Sequence, residues 1–177
     1  GGWLSPLALG WILFYSYCKR FTRWSHLVLG LGLGIAPVGG YLALTGAWSH
    51  PAWMLPVLAF AVMTWSGGFD ILYALQDISF DRANGLFLLP AALGGRRALT
   101  VARVLHVGTV LLLALVGWAT GGGALYALGV AVVAALLAVA VIVLSLLAWN
   151  GSRSLHETQR QRALALLDAL PDAAPGA

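Results

Sequence analysis

The stretch "PAWMLPVLAFAVMTWSGGFDILYALQDISFD", residues 51–81, joins two signals that seldom share a segment. Its first nineteen residues carry no formal charge, and Asp70, Asp77 and Asp81 then follow within twelve positions. Those three are half of the six acidic residues in a chain of 177. At about 1.5 Å of rise per residue, an uncharged run of this length approaches what a helix needs to cross a ~30 Å hydrocarbon core. An ionisable side chain at the end of such a run is costly to place there and marks a functional-site candidate.

The whole chain agrees with a membrane setting. It is 60% hydrophobic and 9% charged, with a mean hydropathy of +0.88. A soluble domain runs at about 45–50% apolar and about 25% charged. The single cysteine, Cys18, allows no internal disulfide and so no disulfide scaffold. The net charge of +4 comes from short basic clusters between apolar runs. They form no basic stripe interleaved with stacking aromatics, which argues against nucleic-acid binding. The opening "GGWLSPLALGWILFYSYCKR" has no initiator methionine, and its basic residues follow the apolar run instead of preceding it. That order does not suit a signal peptide, and the expectation is a fragment beginning inside or just before a helix.

Five segments, about 3–18, 25–46, 52–72, 98–120 and 124–149, are apolar over the length of a spanning helix or nearly so. Helix is expected because backbone groups in lipid must be satisfied within the segment, and barrel strands would be shorter and would alternate. The expected fold is therefore all-α, a polytopic transmembrane bundle of about five helices over 1–149. A loop at 73–97 and a tail at 150–177 complete it, the tail forming either a short surface helix or a frayed end. All ten basic residues, Lys19, Arg20, Arg23, Arg82, Arg96, Arg97, Arg103, Arg153, Arg160 and Arg162, fall at alternate helix ends or in the tail. The opposite connections "AWSHPAW" and "TGGGAL" carry none. By the positive-inside rule the charged side, loop and tail are cytoplasmic. Trp48, Trp53, Trp118 and Tyr126 suit the outer interface, and Trp24 and Trp149 the inner one. A multi-pass protein of a bacterial inner membrane is the expected location.

If the third span stays helical past its end, Asp70, Asp77 and Asp81 lie within about 40° of one another, with Tyr73 about 60° away. Asp77 and Asp81 are then an i, i+4 pair whose like charges repel unless a cation lies between them. Paired carboxylates without a histidine or cysteine cluster favour a hard, oxygen-loving ion, Mg²⁺ above Zn²⁺. Mg²⁺ characteristically combines one or two carboxylates with waters and substrate phosphates. The plainer alternative is three solvated charges at a helix end. On the same side, "FYSYCKRFTRW" sets Tyr15 four residues before Lys19. Alone that pattern is ordinary positive-inside flanking, but beside a carboxylate face the lysine could neutralise a diphosphate.

Here a resemblance becomes specific. "FDILYALQDISFD" resembles the second aspartate motif, D-x-x-Y-A-x-x-D-x-x-x-D, of the UbiA superfamily of intramembrane prenyltransferases. "YSYCKRFTRWSHLVLGLGLGIAPVGGYLALTG" looks like the Y-x-x-x-K helix end and following helix of its 4-hydroxybenzoate polyprenyltransferase branch. "GLFLLPAALG" with "ALTVARVLH" is similar to the segment after the aspartates. The resemblance covers about residues 11–110 and implies a partial UbiA-type fold. It implies Asp77 and Asp81 as Mg²⁺ ligands, Asp70 and Tyr73 as catalytic partners in the same motif, and Tyr15 and Lys19 facing the diphosphate. The implied reaction moves a polyprenyl group from its diphosphate to 4-hydroxybenzoate or a related aromatic acid, on a route to ubiquinone or menaquinone.

The chain also departs from that family. It lacks the first aspartate motif, N-D-x-x-D-x-x-x-D, together with its helices, and the last helix of about nine. It is expected to carry one half of a two-half metal site. Leu88 stands where the branch usually has serine. Three rivals remain: another lipid-diphosphate enzyme, a non-catalytic membrane protein or transporter using an aspartate cluster for cations, and an inactive prenyltransferase fragment. His106 is read as lying at a helix start without chemical duty, and His26 likewise. His50 is placed on the far side, and Cys18 is expected to pack near the interface.

Overall fold

The computed structural model describes residues 5–18, 20–86 and 88–168. Among them no strand occurs, and the chain folds as α1 (Ser5–Cys18), α2 (Ser25–Thr45), α3 (Met54–Ala74), α4 (Ile78–Ala83), α5 (Leu89–Leu93), α6 (Gly95–Ala119) and α7 (Ala124–Asp168). Four stretches are long and apolar enough to cross a membrane: α2, α3, α6 and residues Ala124–Gly151 of α7. The chain is an all-helical integral membrane bundle. The first expected span falls short of that length. α1 has 14 residues, about 21 Å of helix against a ~30 Å core, and residues 1–4 lie outside the described part.

What brings α2 against α3 is missing side chain. Gly30 and Gly34 are both buried on one face of α2. A Cβ on Gly34 would stand 2.5 Å from the carbonyl oxygen of Ala59, and one on Gly30 would press into that of Met63. Hydrocarbon tails exert no hydrophobic push between helices, so backbone proximity at small residues supplies the packing. The same device joins α3 to α6, where Gly68 leaves room for the ring of His106.

The tightest apolar cluster sits at the aspartate end. Ile71, Leu72 and Leu75 pack with Leu89, Ala98, Ala102 and Val141, so that α3, α5, α6 and α7 converge there. This core fixes the direction in which α3 delivers its last turn.

Two expected boundaries move. The segment 73–97 is no open loop: α3 runs to Ala74, α4 and α5 occupy most of the connection, and α6 starts at Gly95. Arg82 Nε donates to the Ala91 carbonyl at 3.1 Å, clipping α4 to α5, and Gly85 turns the chain at φ +65°. The tail does not start a separate element at 150 either, since α7 continues through Asp168. Alanine, leucine, glutamine and arginine, good helix formers, dominate "QRQRALALLD" and carry the helix on in water. At 45 residues α7 is about 65–70 Å long, more than twice a hydrocarbon core.

Candidate active site at the end of α3

The site is built where four elements meet: the C-terminal turn of α1, the first turn of α2, the last turn of α3 and the start of α5. Asp70 is its centre. Its Oδ2 lies 2.8 Å from Nδ1 of His26 and accepts a 3.3 Å hydrogen bond from the Tyr15 hydroxyl. The bond from Tyr15 spans 55 positions of sequence, so the Y-x-x-x-K helix and the aspartate segment, placed on one side by their charges, do touch. The carboxylate is partly shielded, with 23% of its side chain exposed.

His26 is the residue the sequence reading missed. It is 1% exposed, and its second ring nitrogen, Nε2, receives the backbone N–H of Leu89 at 3.4 Å. One imidazole thus joins α2, α3 and α5. The available signal was a histidine in the first turn of α2, at the same end as the aspartates, with no charged neighbour on its own helix.

The continuous helix expected through the three aspartates is broken. Past Ala74 the chain tightens, with the Gln76 amide bonding the Tyr73 carbonyl at 3.0 Å, an i to i−3 closure typical of a helix end. Asp77 then leaves helical geometry at φ −110° and ψ 14°, and α4 begins after it. The phase relation of an unbroken helix therefore does not carry from Asp70 to Asp77 and Asp81. The i, i+4 relation between Asp77 and Asp81 survives, because the Asp81 amide donates to the Asp77 carbonyl at 2.8 Å. Their surroundings differ: Asp77 is exposed, whereas Asp81 is 4% exposed. Tyr73 is 58% exposed and stacks on Phe69, with ring centroids 6.4 Å apart. Lys19 lies outside the described residues.

Among the described residues no group of three or more His, Cys, Asp or Glu is placed to hold a metal. A closed Zn²⁺ site of protein ligands needs about four. One buried and one exposed carboxylate on successive turns suit an ion that takes one or two carboxylates and completes its shell with water and phosphate, which is the habit of Mg²⁺.

His106 does not stand at a helix start. It lies well inside α6, 4% exposed, with its ring 5.0 Å from that of Phe69, because Gly68 opens space for it. It lines a cavity of about 530 Å³ between α6 and α7, with Arg103, Leu111, Leu137, Val141 and Ile142 among the other walls. That cavity is apolar and none of the described candidate residues lines it. Cys18 is a free, buried thiol.

Comparison with known proteins places this geometry. The model of the UbiA prenyltransferase family matches residues 2–153. The chain belongs to the UbiA prenyltransferase family. Every candidate residue, Tyr15, Lys19, Asp70, Tyr73, Asp77 and Asp81, lies inside the matched stretch. The chain is similar to the 4-hydroxybenzoate octaprenyltransferase of Sodalis glossinidius (strain morsitans), 33% identical over 125 residues that cover 71% of this chain and 41% of the relative. It is likewise similar to that of Cronobacter sakazakii (strain ATCC BAA-894), 31% identical over 72% of this chain and 42% of the relative. Among solved structures, the apo structure of a UbiA homolog from Aeropyrum pernix K1 superposes with a TM-score of 0.70 at 34% identity, covering 84% of this chain and 54% of that one. This UbiA family chain thus spans about two-fifths of the length of the curated relatives it matches.

Proposed function

We propose that this chain supplies the second-aspartate half of an Mg²⁺-dependent intramembrane prenyltransferase. The enzyme moves a polyprenyl group from its diphosphate to 4-hydroxybenzoate or a related aromatic acid, in ubiquinone or menaquinone biosynthesis. The observation that carries the reading is the Tyr15–Asp70 hydrogen bond at 3.3 Å. It draws the helix end with the Y-x-x-x-K pattern against the aspartate segment, so that a cationic and an anionic surface share one end of the bundle. The relatives named 4-hydroxybenzoate octaprenyltransferase support the substrates.

In this reading Asp77 and Asp81 hold Mg²⁺, which when bound supplies positive charge against the diphosphate. Lys19, four positions after Tyr15 in the sequence, adds a second cation on the leaving-group side. Asp70, gripped by His26 and Tyr15, holds the end of α3 in register with α1. The Tyr15 hydroxyl faces the diphosphate and has one proton, given to Asp70 here and given to a diphosphate oxygen only in exchange for that bond. The bond from the allylic carbon to the diphosphate oxygen breaks, a bond from that carbon to the aromatic ring forms, and the ring carbon gives up its proton to the released diphosphate or to water. The apolar helices keep water from the allylic cation. The charged helix ends face the cytoplasm of a bacterial inner membrane, where a soluble aromatic acid arrives from one side and the prenyl tail stays in lipid.

The test uses the natural full-length chain in proteoliposomes, supplied with a polyprenyl diphosphate and 4-hydroxybenzoate. Prenylated product should form with Mg²⁺ and stop with a chelator. Asp77→Asn and Asp81→Asn should each abolish it. Turnover that persists in both variants removes the metal role from these residues.

A further inference from the structure

Leu89 is the first residue of α5, and its amide is among those a helix leaves without an internal acceptor. It cannot turn to water, because Leu89 is 1% exposed. The next residue, Pro90, has no N–H to satisfy. Leu88, at the N-cap position, offers no side-chain acceptor. The duty therefore falls to a distant residue, and Nε2 of His26 stands 3.4 Å from the Leu89 nitrogen.

An acceptor nitrogen carries no proton. In a neutral imidazole one ring nitrogen accepts and the other donates, so the proton of His26 belongs on Nδ1, 2.8 Å from Asp70 Oδ2. The tautomer follows from the hydrogen-bond network alone. We infer that His26 is a positioning residue for Asp70. The α5 amide locks its ring in the Nδ1–H tautomer, and that N–H holds the carboxylate in the place where Tyr15 also reaches it. A ring so fixed makes the placement of Asp70 depend on the seating of α5, the segment that follows the aspartates. His26 acts through Asp70 and touches no substrate. Its consequence for turnover rests on the function proposed above, whereas its tautomer does not.

Two measurements on the natural full-length chain in lipid nanodiscs test this. In protein labelled with ¹⁵N-histidine, the His26 ring, assigned by its disappearance in His26→Gln, should show a protonated Nδ1 and an unprotonated Nε2 at neutral pH. A proton on Nε2, or on both nitrogens, overturns the inference whether or not the protein transfers prenyl groups. In the transfer assay His26→Leu, which keeps bulk and loses both bonds, should lower kcat about 10–100-fold, the usual loss when the partner that orients an active group is removed. His26→Gln, whose amide can donate to Asp70 and accept from Leu89 within one planar group, should recover most of that loss. Equal turnover in parent, Leu and Gln variants overturns positioning while leaving the proposed function intact. Absence of prenyl transfer in the parent removes the proposed function, and the tautomer then decides the role of His26 alone.

Discussion

α3 and α7 are both long enough to cross a bilayer, and from composition alone α7 looks the better core helix. Its stretch Ala124–Gly151 is the most apolar of the four spans, yet 11% of it is buried, against 39% for the less apolar α3. The inversion follows from the solvent. In lipid, leucine and valine gain nothing by turning inward, so an all-apolar helix can leave most of its surface on the hydrocarbon. A helix that must pack on two neighbours and deliver carboxylates to its end uses glycine, serine and threonine, which lower its hydropathy. Between α3 and α7, the lower hydropathy goes with the greater burial.

The largest effect that can break this contrast is on activity. Asp70→Asn removes the charged acceptor that both His26 and Tyr15 address. Prenyl transfer should fall about 10–100-fold, as when other orienting partners are lost. Leu146→Ala, on an exposed face of α7, should leave turnover within about twofold, since surface substitutions are near neutral. Comparable losses in the two variants would mean that the bundle responds to any change, and the special status of the α3 end would fall.

The next effect is on stability. A leucine at Gly34 has no room beside the Ala59 carbonyl and must push α2 from α3, at a cost of about 1–3 kcal/mol. At Gly129 in α7 an added Cβ would meet nothing within 4 Å. Gly129→Leu should therefore not destabilise the bundle, and better helix propensity should favour it by up to about 0.8 kcal/mol. Thermal unfolding in detergent reads both. A Gly34→Leu variant that melts with the parent would show that the helices are not held by backbone contact.

The same inversion explains how much could be read beforehand. The helical class, the four full-length spans to within a few residues and the pairing of helix ends were legible, because lipid imposes long uncharged runs and charge marks their ends. Sidedness put Tyr15 and Asp70 at the same end of the bundle, but their contact was not legible. The break at Asp77 was not legible: the apolar residues Ile78 and Phe80 allow a helix to run on, and only the packing of Leu75 and Leu89 into one core makes the chain turn. The extension of α7 to Asp168 was not legible either: the tail reads as a short surface helix or a frayed end, and nothing in its sequence says that it joins the last span. His26 was passed over because a single histidine carries no pattern. Its meaning depends on Leu89, 63 positions away, whose amide needs an acceptor only once α5 is buried.

The smallest effect tests whether polar residues inside the bundle act between helices. Thr64 of α3 and Thr109 of α6 bring their hydroxyls to 2.9 Å. Each also lies within reach of a carbonyl in its own helix, Thr64 of Phe60 at 3.0 Å and Thr109 of Leu105 at 3.1 Å. Each hydroxyl has one proton, so at most one of the two donates across the interface while the other bonds within its helix. Because a lone threonine can fall back on its own backbone, the interhelical bond adds little. A double-mutant cycle of Thr64→Val and Thr109→Val should give a coupling near 0.6 kcal/mol, about the average for such pairs in a membrane bundle. Ser145 of α7 bonds the Val141 carbonyl of its own helix, and Ser145→Ala should stay within about 0.5 kcal/mol of the parent. A coupling of zero would assign the α3–α6 contact to the glycine and apolar surfaces alone. A value well above about 1.7 kcal/mol, the upper end for such pairs, would mean that neither threonine retains its own-helix carbonyl once its partner is gone.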